Sequence, residues 1–391
     1  MRKYEKSMRK QIREEVRNEK RRKIRMFFLN PLHSRRLSPE QELRKELRME
    51  MEENRRLERQ RWLNRFRKNP LKTLLFPEKK TEQVILVEQM KEELKLARRN
   101  RLRGIRGAFR EIFKNKDLRS KFSLSLVQST TYFIFSFLLV YTVYQFTTML
   151  VAKGFDIPTV WYYYRVKFPL FTGSQLYTRS ALVGIFASGP VISLILGFVM
   201  LKLYFSKNII NRRFRLFYLW GFINGINFFF GSYIAGFITR TEFIYASEWL
   251  FMSSMFDVEE IIFAVLSITI SLLIGRLITP LFLLSANQPI LITAKYRFAY
   301  IISNVFIPWI IGMGVFLLLS QPVYYLPLTL KTITPAFILF PSLLTYDSIK
   351  NDTIASTGKV QANYFRWSIV IIIIALLFFY RVLLNFGLEI F

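Results

Sequence analysis

Residues Leu182–Phe237 read LVGIFASGPVISLILGFVMLKLYFSKNIINRRFRLFYLWGFINGINFFFGSYIAGF, and this hairpin decides the fold. Its first arm, Ala181 to Phe205, holds about 25 residues with one charge near its end, enough to cross ~30 Å of hydrocarbon at 1.5 Å per residue. A short basic turn follows, with Lys207, Asn208, Asn211, Arg212, Arg213 and Arg215. The second arm, Leu216 to Phe237, is apolar but interrupted by Gly221, Asn224, Gly225, Asn227, Gly231, Ser232 and Gly236. In lipid such residues face other helices or a polar cavity.

Composition extends that reading to the whole chain. The 391 residues are 52% hydrophobic and 16% aromatic, yet the formal net charge is +30. A single soluble domain rarely combines these, so the chain is expected to be two things joined. Residues 1–121 carry 39 Lys and Arg against 18 Asp and Glu, a net of +21, while the remaining 270 residues carry 18 against 9. The absence of Cys excludes disulfides, thiolate metal sites and a Cys nucleophile. The first apolar run, Met26 to Leu29, is too short for a secretory h-region, and Glu5, Glu14, Glu15 and Glu19 oppose a transit peptide, so the amino terminus reads as mature protein.

The expected fold class is all-α: a polytopic helical membrane protein of six spans, or seven, with a long basic helical cytoplasmic extension. The extension covers residues 1–121 and the transmembrane domain 122–391. In the extension, helices are predicted over residues 1–29, over 38–68 (where Ser38, Pro39 and Gln41 form a capping start) and over 82–103, with Gly104 and Gly107 weakening its end. Residues 105–121 read as a helix lying at a membrane surface. The spans are Phe122 to Val151, the two arms of the hairpin, Ile261 to Leu284, Phe298 to Leu319 and Trp367 to Asn385. Val323 to Tyr346 is apolar but broken by Pro327, Lys331, Pro335 and Pro341, which fits either a re-entrant pair or a kinked span. The loop 152–180 is aromatic and suits an interface. Residues 1–121, 206–215 and 285–297 are basic and 239–260 acidic, which puts the amino terminus in the cytoplasm, with a bacterial inner or plasma membrane as the expected location. The side of the carboxyl terminus depends on 323–346.

Catalytic chemistry finds little to stand on. The lone His33 has no second His with which to hold zinc, and no phosphate loop or nucleophile elbow occurs, so no metal, cofactor or catalytic residue is expected and no small-molecule substrate is identified. The candidate intramembrane polar groups are Ser193, Asn224, Asn227 and Arg276. Asn224 and Asn227 share a face at i, i+3 and Ser193 is placed to meet them from the preceding span, as interhelical hydrogen bonds or as the lining of a path. Arg276 is costly at depth and is expected to pair or to snorkel to the cytoplasmic end.

The run Ala187-Ser188-Gly189-Pro190-Val191-Ile192-Ser193-Leu194, with Leu216 to Asn227 after it, resembles the paired core spans of site-2 protease-type intramembrane metalloproteases. In that family the first span opens with Gly-Pro and an Asn, and the next leads to an Asp that binds zinc. Here Ser193 stands in place of the Asn, Phe228, Phe229, Phe230 and Gly231 follow Asn227 with neither Pro nor Asp, and no His-Glu-x-x-His occurs upstream. The resemblance therefore implies a non-catalytic core.

Two clusters mark the basic arm: Arg21, Arg22, Lys23 and Arg25, then Arg61, Arg65, Arg67 and Lys68. They suit anionic lipid, structured RNA such as a ribosome at the membrane, or an acidic protein partner. The sequence thus points to a non-enzymatic membrane subunit or scaffold of a larger assembly. The alternative is a transporter or channel using the polar span 216–237.

Overall fold

A computed structural model describes residues 82–170, 174–206, 214–251, 256–286, 288–347 and 367–390, together with isolated helical positions between 49 and 60. The helix expected over 1–29, all of that over 38–68 except those positions, His33 and both basic clusters lie outside the described residues. The chain divides into two compact units, Met1–Glu111 and Ile112–Phe391.

Helix α1 runs without interruption over Glu82–Lys114, so Gly104 and Gly107 do not end it. A glycine costs a helix only about 1 kcal/mol, which neighbouring Arg, Lys and Leu offset. The break falls at Asn115, whose side chain accepts from the backbone N–H of Asp117 (3.0 Å) and Leu118 (3.4 Å) and so caps α2. Helix α2, Lys116–Lys153, therefore begins six residues before the expected span; Lys121 and Asp117 pair on its first turn at 2.5 Å.

Among the described residues, six helical stretches are long and apolar enough to cross a membrane: α2, α3 (Arg179–Tyr204), α4 (Arg215–Thr239), α6 (Val258–Leu284, within a helix that starts at Phe256), α7 (Arg297–Ser320) and the stretch Leu326–Thr345. The last runs as one apolar stretch broken at Thr334, where α8 (Leu326–Ile333) and α9 (Pro335–Thr345) meet. Residues 239–260, expected as loop, contain the short helix α5 (Phe243–Phe251). A shorter apolar helix, α10, covers Trp367–Leu383.

Helix α4 is the centre of the bundle: 78% of its apolar window is buried, against 28% for α3 and for α6. Its small residues explain this. A Cβ at Gly225 would lie 2.6 Å from the Gly197 Cα and from the Ser193 carbonyl, so α3 and α4 cross with their backbones touching. Aromatic rings fill the core around α2 and α4, with Phe137 stacked on Phe316 at 4.0 Å and Trp220 edge-on to Phe133 (4.9 Å) and Phe282 (5.2 Å). Val258, Ile261, Ile262, Val265 and Leu273 of α6 are exposed, as a lipid-facing surface requires.

Among the described residues, three short strands form a sheet. β1 (Thr159–Trp161) pairs antiparallel with β2 (Val166–Lys167) and with β3 (Leu388–Ile390), giving the order β2-β1-β3. The pairing bears on the undecided carboxyl-terminal side. β1 follows α2, and if the five later long stretches all cross, β3 can reach β1 only when α10 crosses too. At 1.5 Å per residue its 17 residues cover about 25 Å, nearly the hydrocarbon core.

Candidate functional site

The kink in the last long span exposes backbone carbonyls that a membrane cannot hydrate. Pro335 has no N–H to offer the carbonyl of Lys331 four residues back. Asn227 Nδ2 donates to it instead, at 2.7 Å, and Asn227 Oδ1 accepts from Thr334 Oγ1 at 2.8 Å. Trp309 Nε1 donates to the carbonyl of Thr332 at 2.9 Å. The same solution recurs in α7, where Pro308 cannot serve the Asn304 carbonyl and Ser129 Oγ donates to it at 2.6 Å. Trp220 Nε1 donates to that serine at 3.0 Å, and Ser125 Oγ donates to Asn304 Oδ1 at 2.6 Å. Asn227 and Asn304 both sit in π-helical turns, Asn227–Gly231 and Ile302–Phe306, where the wider coil re-aims side chains.

Asn224 and Asn227 therefore both make interhelical hydrogen bonds, but not with Ser193. Asn224 Nδ2 donates to Ser136 Oγ of α2 at 2.8 Å, while Ser193 Oγ donates back to Gly189 in its own helix at 2.9 Å. The close crossing at Gly225 presents α4 with the backbone of Ser193 rather than its hydroxyl. Arg276 is exposed on the surface of α6, away from these groups.

The kink also aims a cation inward. Lys331 is 1% exposed, its ammonium bonded to the Glu242 carboxylate and 3.3 Å from the Tyr144 hydroxyl, over whose ring it sits at 4.5 Å. Glu242 accepts a second bond from the Tyr325 hydroxyl at 2.6 Å. Burial first, and the Glu242 charge second, push the Tyr325 hydroxyl well above the ordinary phenol range, so it remains a donor. Glu242 has φ 58, a left-handed conformation rare outside glycine, and Arg240 two residues before has φ 52. Such strain persists where surrounding contacts over-determine it, here Arg240 paired with Glu260 and Glu242 held by two donors.

Above this pair opens a chamber of about 350 Å³. Tyr144, Gln145 and Thr148 of α2 form one wall, Ile185 and Phe186 of α3 another, and Thr241, Glu242, Tyr245 and Tyr325 the floor. The β1–β2 hairpin supplies Arg165 and Lys167. Arg165 lies over the rings of Tyr325 (5.2 Å) and Tyr164 (5.7 Å), and Lys167 over Tyr162 (4.8 Å) and Tyr164 (5.7 Å).

Sequence reasoning passed over Lys331, which it took as an interruption, and Glu242, which it counted as one of several loop acids. The signal for Lys331 was present: a lone ionisable residue in an apolar segment is a functional candidate by default. No protein-family model, no curated protein and no solved structure matches the chain.

Proposed function

We propose that this is a non-enzymatic integral membrane protein that takes a small polar solute into the chamber above Glu242 and Lys331, as a transporter or as the solute-binding subunit of one. The observation that carries this is the Glu242–Lys331 pair itself. A buried ion pair is weak evidence of a stabilising role, and inside a membrane ionisable groups mark substrate and ion paths. This relocates the candidate path: the amides of the span 216–237 are engaged in packing, and its outer end contributes only the approach to Glu242. With the amino terminus cytoplasmic, as the basic loops favour, the chamber faces the opposite side. The test is tracer flux into liposomes carrying the full chain, screened across polar solutes, with Thr148→Trp to fill the chamber. Loss of flux in a folded Thr148→Trp protein supports the reading; unchanged flux overturns it.

A second reading, a scaffold or assembly subunit tethered through its arm, rests on the net +21 of residues 1–121. Neutralising Arg21, Arg22, Lys23 and Arg25, or else Arg61, Arg65, Arg67 and Lys68, separates its partners. Anionic lipid responds to the number of charges lost, whereas an RNA or acidic protein surface responds to which cluster is lost. Co-sedimentation of the full chain in nanodiscs with ribosomes, set against binding to anionic vesicles, reads the difference.

A further inference from the structure

The chamber's charge is unbalanced. Glu242 is matched by Lys331 beneath it, whereas among the described residues no carboxylate pairs with Arg165 or Lys167. Residues 171–173, which follow the hairpin, are Phe, Thr and Gly and bring no acid. The Arg165 Nε is buried and has no hydrogen-bond partner among the described residues, although the guanidinium also reaches the Tyr325 hydroxyl, and an unmet buried donor is expensive. Both cations are held by tyrosine faces, which fix their position without neutralising them. The remaining lining adds the polar side chains Gln145, Thr148 and Tyr245, with Phe168, Ile185 and Phe186 as an apolar flank.

We propose that the chamber is an oxyanion site: Arg165 and Lys167 take the phosphate or carboxylate group of a small solute or of a lipid headgroup, whose apolar part lies against Phe168, Ile185 and Phe186. This rests on the reading of the chamber as a solute site and names its ligand class. Arg165 offers the planar fork that suits such groups, and Lys167 a second point charge beside it. Glu242 has the opposite task. Its single charge is matched by Lys331, which leaves the hairpin cations unbalanced, and it repels an anion that would otherwise settle on Lys331.

The experiment titrates inorganic phosphate, and separately succinate, onto the full chain in phosphatidylcholine nanodiscs, reading thermal stabilisation. Both probes are expected to raise the unfolding temperature. Arg165→Gln with Lys167→Gln should weaken the response at least about tenfold, because each charge-assisted bond lost is worth that much. Lys153→Gln, a nearby exposed cation at the end of α2, should leave it unchanged. Discs containing phosphatidylglycerol separate the sources: if the headgroup is the occupant, the lipid stabilises the protein and phosphate no longer adds to it. If neither probe nor the lipid stabilises the protein, or if the double variant responds like the parent while still folded, the oxyanion assignment fails. Flux blocked by Thr148→Trp would then survive as a chamber for uncharged or cationic solutes. Lys167→Gln alone, with the Arg165 stack intact, keeps the test valid should the double variant misfold.

Discussion

Between Ser125 and Asn304 the contacts that join α2, α4 and α7 are neutral hydrogen bonds reaching a carbonyl or amide that a proline or a π-helical turn has released. At the chamber the groups are charged, one backbone position is left-handed, and two cations stand without counter-ions among the described residues. Both regions lie within or against apolar helices, yet they follow opposite rules. In the first, each polar group exists because another needs it, and the result is packing. In the second, local satisfaction stops short, and the shortfall is charge directed at an open space. Polar residues in a membrane bundle thus sort by whether their partners are internal, which is a sharper criterion than their presence.

The largest expected effect tests the charged side. Lys331→Met leaves Glu242 without its cation and should cost about 3–5 kcal/mol in detergent, with most of that recovered when Glu242→Gln is added. A single variant as stable as the parent would mean that the carboxylate is hydrated from the chamber and the contrast is overstated. On the neutral side, Ser129→Ala strips both the Asn304 carbonyl and the Trp220 indole of a partner and should cost about 1–3 kcal/mol. It should do so without altering solute binding. A binding change of more than about twofold in that variant would join the two regions into one coupled network.

The smallest effect concerns Glu248, whose carboxyl is raised above its usual range by burial, then by the charge of Glu260, with Arg240 opposing. A raised carboxylate binds more protons folded than unfolded, so it lowers stability as pH climbs through the carboxylate range. Glu248→Gln should therefore slightly raise the unfolding temperature at neutral pH and make no difference in acid. An increase that persists in acid would assign the effect to packing.

How much of this was legible follows from distance along the chain. The long spans declare themselves through hydropathy, and Asn224 and Asn227 through being amides in an apolar run. Ser193 was assigned to them because sequence gives a face but not a crossing point, and the contact of Gly225 with Gly197 decides which atoms meet. Pro335 was readable as a break in its segment, but Pro308 was passed over inside an apolar span, and neither Ser129 nor Asn227 could be read as the residue that answers a proline. Glu242 and Lys331 are separated by an entire helical hairpin, and no local pattern links them. The chamber cations were hidden for a different reason, since Arg165 and Lys167 sit in an aromatic loop that suits a membrane interface equally well.

The pairing of β3 with β1 sets an order of assembly. The hairpin that carries Arg165 and Lys167 emerges early in synthesis, yet its far edge stays open until Leu388–Ile390 arrives and aligns Thr159 with Ile390. Tyr163 is likewise tied to the carbonyl of Leu384 at 3.2 Å. During translation the bundle can insert helix by helix while the open edge of β1 waits for β3. A nascent chain halted before α10 would hold the six long apolar stretches while the edge of β1 that β3 covers still lay open.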